Sequence, residues 1–219
     1  MARFAFEDAL VDKLLAVAAV LPLLYVLFTY WQQTRLSFED GVVVAELCIV
    51  GATLLSRRPA IRVTRDAKLW LLAGVSVYWP LIFAEAYEPG IAVAPREATL
   101  IVSFLAFFIS IWARFALGRS IGLVPAERGI CVVGPYRYVR HPIYSALMLS
   151  ILSANLQGFS LLNACLDLTW CVLLAAKAKA EERFLLVSPA YAAYAREVSY
   201  RWIPISRAHR ACTERAAHH

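Results

Sequence analysis

Apolar residues fall along this chain in long blocks, not in short alternation. Near-continuous apolar runs occupy residues 14–31, 69–84 and 98–117. A shorter run, GVVVAELCIVGATLL at 41–55, carries Glu46 inside it. Two more, 142–157 and 159–176, are separated by little more than Gln157-Gly158 and predict a tight helical hairpin. A helix crosses a bilayer core with about 20 mostly apolar residues, so the blocks predict six helical segments of roughly spanning length. No internal repeat or low-complexity linker divides them, and residues 1–219 read as a single domain.

The polar positions between the blocks alternate in charge. Arg57, Arg58, Arg62, Arg65 and Lys68 lie between the second and third runs. Arg114, Arg119, Arg128, Arg137 and Arg140 are assigned to the connection between the fourth and fifth, and Lys177, Lys179, Arg183, Arg196 and Arg201 follow the sixth. The other two connections, 32–40 and 85–97, hold only Arg35 and Arg96 among basic residues. Basic residues collect on cytoplasmic loops, so the pattern closes for six spans with both termini in the cytoplasm. The expectation is an all-α, polytopic membrane helical bundle: four N-terminal spans in 1–117, a core with the last hairpin in 118–204, and a tail at 205–219.

Composition agrees with lipid as the solvent. Hydrophobic residues make up 61% of the chain and the mean hydropathy is +0.61, against roughly 45–50% apolar in soluble domains. The net charge of +6 is then a matter of loop placement, and no nucleic-acid partner is implied. Cys48, Cys131, Cys165, Cys171 and Cys212 form no CxxC and have no histidine at ligand spacing, so neither a disulfide framework nor a metal site is expected. The first apolar run has no clean cleavage site behind it and reads as a retained helix. His218-His219 carry no part of the argument.

Chemistry concentrates in two polar segments that flank the predicted hairpin and should meet at its open end. The first is GPYRYVRHPIY at 134–144. Proline suits the first helical position, so His141-Pro142 opens a helix whose backbone N–H groups favour a carboxylate or phosphate. Arg137 and Arg140 add positive charge; Tyr136, Tyr138 and Tyr144 add aromatic faces. An ordinary membrane border, with Arg and Tyr at headgroups, produces the same pattern. The second segment, KAKAEERFL at 177–185, continues the sixth helix. Lys177 and Glu181 share a face, but in the weaker orientation for such a pair, which suggests that these charges serve something other than each other. Glu182 lies about 100° round, so the two acids need not share a partner. Beyond them, SPAYAAYAREVSYRWIP at 188–204 predicts an interfacial helix capped by Ser188-Pro189 and stopped by Pro204. Tyr191, Tyr194, Val198 and Trp202 would lie on one face of it.

GPYRYVRHPIY, then EERFL, then YAAYAREVSYRWIP, in this order and spacing, resembles the isoprenylcysteine carboxyl methyltransferase family, to which the phospholipid N-methyltransferases look related. The resemblance covers roughly residues 118–204. It implies an integral-membrane enzyme using S-adenosylmethionine at a cytoplasmic site over the last hairpin. On that resemblance Arg128, Gly129, Ile130, Cys131, Tyr136, His141, Pro142, Ile143, Tyr144 and Glu181 would hold the cofactor. Lys177 stands where the isoprenylcysteine enzymes have an arginine facing the substrate carboxylate. It keeps the charge but not the bidentate fork, so a lipid-like or amphipathic acceptor is expected, without a prenylcysteine being specified. Lys177 and Arg201 are the candidates for holding an anionic group of that acceptor.

Three other readings are weighed. GRSIG at 118–122 matches the G-x-S-x-G elbow of serine hydrolases, but that motif needs a strand-to-helix turn and acid and histidine partners; the only internal histidines are His141 and His209. Membrane sterol reductases resemble the C-terminal architecture and use NADPH, which asks for more basic residues than are present. A small transporter or scaffold would use the intramembrane acids Glu46 and Asp167; a single hydrogen-bonded acid between helices is the plainer account of each.

Overall fold

The computed structural model describes residues 2–32 and 38–203. Arg35, Pro204, His209, Cys212 and His218-His219 lie outside them. The described chain is mostly helical: α1 (Ala2–Trp31), α2 (Phe38–Leu55), α3 (Ala67–Ile82), α4 (Arg96–Leu117), α5 (Pro142–Gln157), α6 (Leu161–Leu185) and α7 (Pro189–Glu197). A helix stands at each of the six apolar blocks. Among the described residues, three stretches are long and apolar enough to cross a membrane: Val11–Trp31, Arg96–Ser120 and Leu161–Leu185. Val44–Leu55 and Ala67–Ile82 are shorter apolar helices.

The packing inverts the soluble pattern. Outward-facing positions carry large apolar side chains, such as Phe28 on α1, Ile101, Phe108 and Phe115 on α4, and Leu168 on α6. Between the helices, apolar side chains such as Ala19, Leu23 and Leu54 pack together, and polar side chains make further contacts. Ser153 of α5 donates to the Thr99 carbonyl of α4 at 2.7 Å and meets Ser103 at 2.8 Å. Trp170 of α6 donates to the Ser76 carbonyl of α3 at 2.8 Å. Helices associate this way where the surroundings are as apolar as leucine and small residues let backbones approach.

The connections sort to two ends. At one, β1 (Arg62–Val63), from the α2–α3 connection, pairs antiparallel with β2 (Ala126–Glu127), from the α4–α5 connection. Arg62 also donates to the Phe184 carbonyl near the end of α6, at 2.9 Å. All three basic connections therefore meet. Asp12 of α1 ties them further, accepting from Arg57 at 2.8 Å and from Arg128, with all three side chains buried. At the other end Ile91 and Phe159 exchange backbone hydrogen bonds of 2.9 and 2.8 Å, and Asn163 of α6 bonds both backbone groups of Glu88.

The hairpin closes at Gly158, whose N–H bonds the Ala154 carbonyl, and α6 restarts with Ser160 capping Asn163. Two sequence expectations are corrected. Arg114 is no loop residue: it sits buried in the last turn of α4. The tail helix ends at Glu197, well before Pro204. Ser188 and Pro189 occupy its start as expected, although the serine hydroxyl makes no capping bond. Trp202 thus lies past the helix and does not share a helical face with Tyr191 and Tyr194. It reaches the bundle because the backbone after α7 pairs with residues 140 and 141, through Arg140 N–H to Tyr200 C=O and His141 N–H to Arg201 C=O, both 2.9 Å.

Candidate functional site

A cavity of about 610 Å³ runs inside the bundle and reaches the end where the basic connections meet. Much of its lining is apolar, with Leu23, Leu47, Leu54, Leu81 and Leu147 among it. Polar side chains from α5, α6 and the segment before α5 also line it. A cavity of this size, apolar with a few convergent polar groups, is what small-molecule sites offer.

The segment before α5 is shaped by glycine. Gly134 adopts φ +60, and a Cβ there would stand 2.9 Å from the Ala116 Cβ. Any side chain would be both strained and crowded, so this turn, which carries Tyr136 inward, needs glycine. The Tyr136 ring is buried, and its carbonyl accepts from the Tyr194 hydroxyl at 2.8 Å. Burial raises the pKa of the Tyr136, Tyr191 and Tyr194 phenols well above the ordinary value, so these rings stay neutral. The Cys131 thiol donates to the Ala116 carbonyl at 3.1 Å.

Pro142 opens α5, with His141 in the cap position. Two charge networks then split between the adjacent acids of α6. Glu181 Oε1 accepts from the Tyr144 hydroxyl at 2.8 Å and pairs with Lys177 Nζ at 2.9 Å. Lys177 also donates to the Tyr144 hydroxyl and lies over that ring, 4.8 Å from its centroid. Glu182, turned to the other side, gathers three donors. Arg140 Nε approaches Oε1 at 2.8 Å, His141 Nε2 lies 3.1 Å from the same oxygen, and Arg201 Nε approaches Oε2 at 2.8 Å. Arg140 also donates to the carbonyls of Ala195 and Val198. The His141 and Tyr144 rings stack at 5.4 Å, and Trp202 packs on His141 at 5.5 Å.

Most of the expected site residues come together. Arg128, Gly129, Ile130 and Cys131 line the cavity, as do Tyr136, His141, Ile143 and Tyr144, and from α6 Lys177 and Glu181. Pro142 is buried at the helix start and shapes the site from behind. Three of the expected residues have charged partners within the chain. Arg128 is committed to Asp12 and to the Arg58 carbonyl, so it borders the cavity as part of a structural staple. Lys177 and Glu181 do serve each other, because burial of the lysine, 3% exposed at its side chain, leaves the carboxylate as its counter-charge. Arg201 donates to Glu182 and does not line the cavity.

Sequence reasoning missed Glu182 as a hub. The available signal was charge balance, since Arg140, His141 and Arg201 lie in segments expected to meet and require an acid. Asp167 and Glu46, the two acids within apolar blocks, are each hydrogen-bonded to other segments. Asp167 accepts from Tyr87 at 2.5 Å and from Asn155. Glu46 accepts from Ser110 at 2.8 Å. Ser120 of GRSIG lies in a short 3-10 turn after a long helix, with its hydroxyl 3.4 Å from the Arg128 carbonyl, and not on a strand-to-helix elbow.

No protein-family model matches the chain, and a comparison with curated proteins finds no relative.

Proposed function

We propose that this chain is an integral-membrane methyltransferase with six spans and both termini in the cytoplasm, using S-adenosylmethionine to methylate an O or N of a lipid-like acceptor. One observation carries the reading. Motif residues of 128–144, with Lys177 and Glu181 of α6 and Tyr191 and Tyr194 of the tail, line one cavity that also has long apolar walls. A headgroup-anchoring border would not need them to share a concave site.

The residues present fit the cofactor's groups. Among the described residues, both contacts of the Glu181 carboxylate fall on Oε1, which leaves Oε2 for the cofactor's ammonium. The amides of Ile143 and Tyr144 belong to the first turn of α5, where helix geometry supplies no partner, and suit its carboxylate. The faces of Tyr136 and Tyr144 suit a sulfonium. When bound, S-adenosylmethionine supplies a methyl group already activated by its sulfonium. The chain's own work is positioning and exclusion of water. Lys177 and Tyr144 hold the Glu181 carboxylate in place. Glu182 anchors the tail across the start of α5 through Arg140 and Arg201, which brings Trp202 over His141. The apolar walls receive the acceptor's body.

Calorimetric titration of the purified full chain with S-adenosylhomocysteine, with NADPH in a parallel cell, tests the reading. Saturable binding of the first alone supports it. Binding of NADPH alone moves the protein to the reductases, and binding of neither by a folded sample removes the proposal.

A further inference from the structure

A further polar group lies on the cavity wall, on α2 and α4 and outside every motif. Glu46 sits on α2 on the same side as Val50 and Leu54, both of which line the cavity with it. Its Oε1 accepts from Ser110 at 2.8 Å, and Arg114 Nη2 stands 3.5 Å from that same oxygen. Arg114 directs its Nε to Ser110 at 3.3 Å. Charge-assisted hydrogen bonds close to about 2.7–2.9 Å when two partners engage fully, so this ion pair is slack. Exposure decides which charge a ligand meets: the Glu46 side chain is 30% exposed, the Arg114 side chain 10%. Among the described residues both contacts of the carboxylate fall on Oε1. A carboxylate so placed in apolar walls is poorly compensated.

We propose that Glu46, supported by Ser110 and Arg114, is a recognition site for the ammonium head of an amphiphile whose apolar body lies along Leu23, Leu47, Val50 and Leu54. An ammonium completes the coordination that Arg114 leaves slack. A carboxylate head meets like charge first, and an alcohol gains only a neutral hydrogen bond. Naming this amphiphile the methyl acceptor rests on the function proposed above; the site itself does not.

The test is ligand retention by the full chain in native mass spectrometry, with dodecylamine, dodecanol and dodecanoate as probes. Wild type is expected to retain the amine most tightly. Glu46→Gln is expected to weaken amine retention about tenfold or more while leaving dodecanol unchanged. Glu46→Asp, which keeps the charge, should keep the amine preference and serves if the glutamine variant does not fold. No amine preference in wild type, or an equal loss of all three probes in Glu46→Gln, overturns the site. S-adenosylhomocysteine titrated into the same wild-type sample separates the two ideas: loss of that binding with the amine preference intact sinks the methyltransferase reading and spares this one.

Discussion

Arg201 donates its Nε to Glu182 at 2.8 Å and thereby ties the tail to the last long helix. Glu182 is buried and shares its other oxygen with Arg140 and His141, so one carboxylate joins α5, α6 and the segment after α7. Removing one partner of a buried pair costs more than the pair contributes, because the remaining charges lose their compensation.

Glu182→Gln is therefore expected to destabilise the protein by about 3 kcal/mol and to release the tail. Hydrogen exchange should lose protection at the Arg140 and His141 amides, and trypsin should cleave after Arg196 or Arg201 sooner than in wild type. Unchanged protection at both amides would mean that the backbone pairing alone holds the tail.

Glu181→Ala is expected to weaken S-adenosylhomocysteine binding about tenfold, in line with loss of a charge-assisted hydrogen bond, in a sample that stays monodisperse. Calorimetry on wild type and variant reads this directly. Equal affinities would take Glu181 out of the proposed site.

Lys177 is buried against Tyr144 and Glu181. Lys177→Met, which keeps an apolar stem, is expected to lower the Tm. A cycle with Glu181→Gln should show a coupling of about 1–3 kcal/mol. A coupling near zero would show that the two charges stand together without stabilising each other.

Asp12 compensates two buried guanidiniums, Arg57 and Arg128, whose pKa values burial lowers while Asp12 opposes the change. Asp12→Asn leaves both without a counter-charge and should cost about 3–5 kcal/mol. Denaturation of Asp12→Asn and of the double variant Asp12→Asn/Arg57→Met would check it. The double variant is expected to recover part of the loss.

Gly90 packs against the hairpin turn, and a Cβ there would fall 2.3 Å from the Gly158 carbonyl carbon. Gly90→Ala must separate the Ile91–Phe159 pairing and is expected to cost about 1–3 kcal/mol. At Gly158 a Cβ would meet nothing nearer than 3.9 Å, so Gly158→Ala is expected to cost much less. Thermal melts of the two variants side by side settle the order.

The helices were legible from the chain because their cause is local. Apolar blocks near spanning length, Pro142 and Pro189 at helix starts, and Gly158 at the hairpin all act within a few residues of themselves. Where this local logic was stretched it failed: the tail helix drawn as far as Pro204 stops at Glu197, because pairing of Tyr200 and Arg201 with Arg140 and His141 offers the backbone another set of hydrogen bonds. Placement of many site residues around one space was likewise anticipated, since two segments flanking a hairpin must meet at its open end.

Sequence by itself determined where the helices lie, which connections carry the basic charge, and which residues could gather. Only the tertiary structure decided which charge belongs to which. Arg201 reads as a free cation along the chain, yet it meets Glu182 of α6, and Arg128 is committed to Asp12 more than a hundred positions away. The physical reason is that a charge removed from water takes the nearest geometrically suitable partner. That partner is set by the packing of distant helices, and the order of residues does not carry it.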